Sequence, residues 1–307
     1  MRILFMGTPD FAVASLEALL AAGHDICGVF TQPDKPVGRH QNQFQAPPVK
    51  ERALEQGIPV FQPTKLRDGT ALELIRQLGP ELIVVAAYGR ILPQEILDEP
   101  PMGCINVHSS LLPEYRGAAP INWAILNGDR ETGVTIMHMA AGLDSGDIIS
   151  QAVTPIGENE TAPELTARLA RLGGELLVGT VEQIRTGTAS RTVQDETRVT
   201  LAPMLDKKLS PMDFSRPAQA LHDQVRGLLP WPAAVTEVAG VRCKIFASRA
   251  EAAQGKPGTV LEAGKQGILV ACGQGALRIL ELQPDGKKAM PAAAFLQGHP
   301  LKVGSAL

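Results

Sequence analysis

Between Glu81 and Tyr88 the chain reads ELIVVAAY, an apolar run with no polar alternation. A strand with one wet face alternates. A strand without alternation is covered on both faces, as a central strand of a parallel sheet is when helices flank it. The neighbouring sequence repeats the matching pattern. Arg2–Met6, Asp25–Gln32, Pro59–Phe61, Cys104–His108 and Gly133–Met139 read as further strands. Phe11–Ala22, Pro47–Gln56, Gly69–Leu78 and a stretch from about Ala118 to Asn127 read as the helices between them. Repeated strand–helix–strand units with right-handed crossovers predict an α/β domain built on an open, doubly wound parallel sheet.

Thr161–Thr186 opens with a Thr-x-x-Glu capping box and reads as one long helix. A polar stretch over Thr188–Lys208 then breaks the pattern and reads as a linker. Beyond it come a helix around Pro217–Leu228 and short runs bounded by glycine, among them VRCKIFAS, GILVACG and ALRILELQP. Closely spaced short strands predict a small β-barrel domain. The partition is therefore residues 1–187, a linker 188–207 and a second domain 208–307, which a chain of 307 residues accommodates.

Charge separates the two parts. Residues 1–207 hold 17 basic and 25 acidic side chains, a net of −8; residues 208–307 hold 12 and 7, a net of +5. A basic second domain on an acidic first one points to a polyanionic partner. No apolar run approaches the roughly 20 residues that span a bilayer, and MRILFMGTPDF is interrupted too soon for a secretory signal. A cytoplasmic protein with no membrane partner is expected. The four cysteines, Cys27, Cys104, Cys243 and Cys272, are far apart and lie in or beside apolar stretches, so buried thiols are expected rather than disulfides or zinc ligands.

The segment CINVHSSLLPEYRG, Cys104–Gly117, carries the candidate chemistry. Asn106 and His108 lie two apart on a strand and so face one side of the sheet. Ligands of open α/β sheets bind beyond the carboxyl ends of the strands. The strand Gly133–Met139 runs into AAGLDSGD, a turn-rich loop with Asp144. An amide, an imidazole and a carboxylate that meet there suit acyl transfer to an amine. Asn106 and His108 would donate to the developing oxyanion, and Asp144 would hold His108 and help move the proton. The residues alone leave other readings open. His108 can be a hydrogen-bonded structural residue, Asn106 can satisfy a turn, and Asp144 can make an Asx-turn. His138 and Cys104 read as structural. His108, Asp144 and Asp147 lack the close ligand spacing of a metal site, and no metal is expected. After the first strand comes Gly7-Thr8-Pro9-Asp10 and no G-x-G-x-x-G, so no nucleotide cofactor is expected.

Asn106-x-His108, Ser110-Leu111-Leu112-Pro113, Arg116-Gly117 and Leu143-Asp144-x-Gly146-Asp147 together resemble the signature of the 10-formyltetrahydrofolate-dependent formyltransferases. MGTPDFA at the start, AAYGRILP (Ala86–Pro93), GAAPINWAI, and the segments Lys207–Ala234 and Gly275–His299 are similar to the branch of that family that formylates the amine of a methionyl-tRNA. The resemblance covers nearly the whole chain. It implies a Rossmann-like first domain and an OB-like second domain that helps hold tRNA. Asn106, His108 and Asp144 match the catalytic trio, and Ser110, Leu111, Leu112 and Pro113 the folate-binding turn. Arg90, Ile91, Leu92, Ala140, Ala141 and Gly142 match the walls of the pterin pocket. Arg39, in the loop Pro33–Val49 that would insert into the acceptor arm, and Lys207 match tRNA contacts. Where relatives carry further lysines after that arginine, this chain has His40-Gln41-Asn42-Gln43, so the loop inserts with less charge. The implied substrates are 10-formyltetrahydrofolate and charged initiator tRNA, and the implied state is a monomer. Formylation of a small amine such as glycinamide ribonucleotide or a nucleotide-linked amino sugar, and hydrolysis of the folate, use the same trio and remain alternatives. So does a protein that only binds tRNA.

Overall fold

The computed structural model of the chain describes residues 1–37 and 43–307. It divides into two compact units. The first takes Met1–Gly117, Thr132–Thr154 and Thr166–Leu201; the second takes Ala118–Glu131, Pro155–Leu165 and Ala202–Leu307. Residues 188–201, expected as part of a linker, thus contribute to the first unit.

The first unit is organised by a seven-stranded sheet. Its strands are β1 (Arg2–Gly7), β2 (Asp25–Phe30), β3 (Val60–Phe61), β4 (Leu82–Ala86), β5 (Cys104–His108), β6 (Glu131–His138) and β7 (Ile148–Pro155). They lie in the order β7-β6-β5-β4-β1-β2-β3. The continuous apolar run is the strand β4, paired in parallel with β1 on one side and β5 on the other and buried at all five residues. Its buried side chains join those of β1 and of the helices Thr70–Leu78 and Gln94–Leu97 in one core, with Leu4, Met6, Ile75, Ile83, Val85 and Ile96 at its centre. The expected helices over 11–22, 47–56 and 69–78 are present as Asp10–Ala21, Pro48–Glu55 and Thr70–Leu78.

Two features differ from the parallel expectation. Strand β6 runs antiparallel to β5, with His108 opposite Thr135 and Asn106 opposite Met137. The chain between them enters β6 on the side where β5 ends, so no crossover back is needed. A buried antiparallel strand shows no more alternation than a parallel one, and periodicity could not separate them. The sheet also gains β7, in which half-buried and exposed residues alternate from Ser150 to Pro155 as they do on an edge strand.

Helix Ala162–Thr186 begins as its capping box requires: Thr161 N–H donates to Glu164 Oε2 at 2.8 Å, and Glu164 N–H to Thr161 Oγ1 at 3.5 Å. Midway it lies close against the sheet and the first helix. A Cβ on Gly173 would stand 3.0 Å from Val107 Cγ1, and one on Gly174 3.0 Å from the Ala14 carbonyl oxygen. Glycine at these positions sets how near the helix approaches β5.

In the second unit the strands β8 (Ala234–Val238), β9 (Val241–Glu251), β10 (Val260–Gly264), β11 (Gly267–Ala271) and β12 (Ala276–Pro284) form an antiparallel sheet in the order β8-β9-β12-β11-β10. A short sixth strand, Met290–Pro291, pairs with β12. Five main strands with an open path match the size of an OB-like domain. Helices Ala218–Gly227 and Ala292–Gly298 cover its core through Leu221, Val225 and Phe295.

Candidate active site

Strand β5 presents Asn106 half-buried and His108 only 6% exposed. The chain then turns through Ser109–Arg116, and each step of the turn is pegged. The Ser110 hydroxyl donates to the Glu114 carbonyl at 2.6 Å. Thr135 of β6, fully buried, donates its hydroxyl to the Ser110 carbonyl at 2.7 Å and accepts the Leu112 N–H at 3.1 Å. Gln151 of β7 donates to Thr135 Oγ1 and to the Leu112 carbonyl, both at 2.9 Å. The turn Ser110–Pro113, with a cis Leu112–Pro113 bond, is therefore held by two neighbouring strands rather than by itself. Thr135 and Gln151 were not among the residues singled out from sequence. The one available signal was a hydroxyl inside the apolar stretch GVTIM.

His108 Nε2 lies 3.0 Å from the Tyr115 carbonyl oxygen. A carbonyl only accepts, so this nitrogen carries a proton and Nδ1 is the edge left for chemistry. Nδ1 is 3.8 Å from Asp144 Oδ2, and that oxygen also accepts the Gly117 N–H at 2.9 Å. The loop after β6 thus returns its carboxylate to the imidazole. The amide of Asn106, two residues before His108 on the same side of β5, has no hydrogen-bond partner among the described residues. Three of the five non-glycine residues with positive φ among those described, Ala87 (45°), Tyr115 (61°) and Asp144 (46°), lie in the segments around this cluster. Backbone held in the left-handed region marks places where position matters more than local ease.

Arg90 and Ile91 line an open cavity of about 560 Å³ together with Thr64, Lys65, Leu66, Arg67 and Asp68. Arg90 is fixed there by donating to the Thr64 carbonyl at 2.7 Å and to Gln32 Oε1 at 3.2 Å. Ile91 is 72% exposed, whereas Leu92 is buried in the sheet core, against which Met139, the residue before Ala140, also packs. Ala140, Ala141 and Gly142 are exposed. Lys207 is exposed on a short turn in the second unit, where Asp206 accepts the Lys208 N–H at 2.8 Å. Arg39 lies outside the described residues.

Of the neighbours read as structural, Cys104 is buried and His138 half-buried. Burial pushes the Cys104 thiol up to about 12, and its Sγ faces the Ile96 carbonyl at 3.6 Å. Burial, then the Arg191 charge, lowers the pKa of His138. All four cysteines are buried and unpaired. Among the described residues no group of three or more His, Cys, Asp and Glu is arranged to hold a metal.

Residues 1–181 match the family described as formyl transferase, and residues 204–300 the formyl transferase C-terminal domain. The methionyl-tRNA formyltransferase of Trichlorobacter lovleyi is 50% identical over 306 residues, covering all of this chain and 96% of that protein. The methionyl-tRNA formyltransferase of Moorella thermoacetica is 51% identical over 309 residues, covering all of this chain and 99% of that protein. Among solved structures, an N-formyltransferase from Helicobacter canadensis in complex with folinic acid and dTDP-3-aminofucose is similar with a TM-score of 0.70 at 20% identity, over 92% of this chain and 99% of that one. HypX from Aquifex aeolicus in complex with tetrahydrofolic acid is similar with a TM-score of 0.66 at 20% identity, over 99% of this chain and 48% of that one. These two likenesses speak to the fold.

Proposed function

The chain belongs to the formyl transferase family, and we infer that it moves a formyl group from 10-formyltetrahydrofolate to the α-amino group of methionyl-tRNA. The observation that carries this reading is the match at about half identity, end to end, to proteins that act on methionyl-tRNA. A basic second domain supports it, because a small amine acceptor needs none.

Asn106, His108 and Asp144 do the chemistry. The amine nitrogen forms a bond to the formyl carbon, the carbonyl oxygen becomes an oxyanion, and the bond to N10 of the folate then breaks. The Asn106 amide and protonated His108 donate to the oxyanion. His108 spends its Nε2 proton on the Tyr115 carbonyl, so Nδ1 makes the productive contact. Asp144, fixed by the Gly117 N–H, stabilises the imidazolium and takes the proton that the attacking amine loses, directly or through water, for delivery to N10. No covalent enzyme intermediate is needed.

Ser110–Pro113, Arg90–Leu92 and Ala140–Gly142 bind the folate. Arg90 and Ile91 wall the 560 Å³ cavity, whose lining also holds Lys65, Arg67 and Asp68. Arg39 and Lys207 contact the tRNA. A division into a catalytic first part and a tRNA-holding second part, a monomeric state and a cytoplasmic location belong to the same proposal.

The test offers the purified protein 10-formyltetrahydrofolate with charged initiator tRNA, charged elongator tRNA and a dTDP-linked amino sugar in parallel. Formyl-methionine on the initiator tRNA is expected. Transfer to the small amine alone would move the reading to a small-molecule formyltransferase.

A further inference from the structure

Residues Thr192–Thr200 run beside the candidate active site as a strap that is interrupted by one short 3-10 turn, Glu196–Arg198. Thr192 exchanges both backbone hydrogen bonds with Ile148, at 2.8 and 2.9 Å. Val193 is 79% exposed and Leu201 66%, so the strap is not a core element. Gln194 between them points inward and is only 5% exposed. Its amide nitrogen donates to the carbonyls of Asp144 and Gly146, both at 2.8 Å. Its amide oxygen accepts Arg116 Nε at 3.0 Å and Nη2 at 2.8 Å. Every donor and acceptor of the amide is used. Arg116, 7% exposed, is held from its other side by Glu196, with Nη2 to Oε1 at 2.7 Å and Nη1 to Oε2 at 3.3 Å.

The far end of the strap supports the imidazole. Thr200 accepts the Tyr115 N–H on Oγ1 at 2.8 Å and the Arg116 N–H on its carbonyl at 2.9 Å. Tyr115 is the residue whose carbonyl holds His108 Nε2. The strap therefore grips both residues that define the His108–Asp144 pair, and both, Asp144 and Tyr115, have positive φ. The loop has no slack for another arrangement nearby: a Cβ on Gly146 would stand 1.7 Å from the His138 carbonyl oxygen.

We propose that Gln194 is a positioning residue for formyl transfer, setting the Asp144 carboxylate against His108 while Thr192–Thr200 straps the pair together. This rests on the reading that His108 and Asp144 are catalytic. Gln194 spends its whole amide on protein partners. It acts by fixing a backbone conformation that the exposed stretch Ala140–Leu143 cannot fix. A misplacement of about 1 Å at a reacting group costs on the order of 100-fold in rate.

The test compares the full-length protein with Gln194→Leu, Gln194→Glu, Asp144→Asn and the double variant Gln194→Leu/Asp144→Asn, with the exposed Leu54, outside the strap, changed in Leu54→Ser as a control of unchanged turnover. Melting temperature, kcat and KM for folate and for methionyl-tRNA are measured on each. Gln194→Leu is expected to lower kcat about 10- to 100-fold with both KM values within about twofold. In the Asp144→Asn background it should cost nothing further, because Gln194 acts only through the Asp144 carboxylate that this background has already removed. Gln194→Glu keeps the size and the bond from Arg116 but sets a carboxylate against two carbonyls. It should lose turnover likewise, and it decides the matter if Gln194→Leu does not fold. Full kcat in the folded Gln194 variants beside an impaired Asp144→Asn would overturn this inference and leave the catalytic reading intact. A loss that adds to that of Asp144→Asn would overturn it too, as a general structural effect. Full turnover in Asp144→Asn would instead remove the catalytic reading itself.

Discussion

Thr135→Val keeps the shape of a fully buried side chain and removes one hydroxyl. That hydroxyl donates to the Ser110 carbonyl and accepts both the Leu112 N–H and the Gln151 amide, which exhausts what a hydroxyl can do. Gln151 keeps its bond to the Leu112 carbonyl. The Leu112 N–H is left stranded in the interior, at about 1–3 kcal/mol, and the Ser110 carbonyl loses a bond with a net value of about 1 kcal/mol. A loss of about 2–4 kcal/mol follows if the turn stays in place. At about 2–4 °C per kcal/mol for a domain of this size, the melting temperature falls by about 4–16 °C. The turn can relieve the cost by moving, and then the folate wall moves with it. Thermal unfolding and steady-state formylation read the two effects together. A lower melting temperature and a several-fold higher KM for 10-formyltetrahydrofolate are expected, with KM for methionyl-tRNA unchanged. An unaltered melting temperature with an unaltered folate KM would refute the peg. A lower melting temperature with the same folate KM would detach Ser110–Pro113 from the folate site.

Two further outcomes are expected. Hydrogen bonds from Arg278 hold the Glu251 carboxyl well below its ordinary 4.5, at about 2, so the charged carboxylate favours the folded state. A depressed carboxylate stabilises above its unfolded pKa, so this contribution is complete above pH 4.5 and is lost as pH falls towards 2. Both tryptophans, Trp123 and Trp231, lie in the same unit as the pair, so urea melts followed by tryptophan fluorescence should show a steep acid loss that Glu251→Gln flattens; equal acid slopes would contradict it. Lys207→Ala should flatten the plot of log affinity for methionyl-tRNA against log salt by about 0.7–0.9 for one lost phosphate contact, and an unchanged slope would remove Lys207 from the RNA path.

What the sequence made legible was what depends on local pattern. ELIVVAAY becomes a strand buried along its whole length because nothing polar interrupts it. Asn106 and His108 share a side of β5 because they are two apart. Asp144 was placed with them because a strand had to feed its loop and because Leu143-Asp144-x-Gly146-Asp147 completes the family signature. The antiparallel direction of β6 was hidden, since burial on both faces removes the alternation that would report it. Ile148–Pro155 was missed as a strand because Ser150, Gln151 and Thr154 dilute its apolar signal, and one of those residues turned out to hold the candidate folate turn. Gln194 gave no signal at all. Its value lies in four hydrogen bonds to residues about 50 and 78 positions away, and no window along the chain contains both ends.

The account turns on Asp144 acting in the transition state rather than in binding. Single-turnover formylation of methionyl-tRNA by Asp144→Asn, with both substrates saturating and the fold verified, tests it most directly. The substitution keeps the size and an acceptor for the Gly117 N–H while removing the charge beside His108. A rate lower by about 10²–10⁴ with unchanged substrate affinities is the predicted result. A rate within twofold of the unaltered protein would contradict the account.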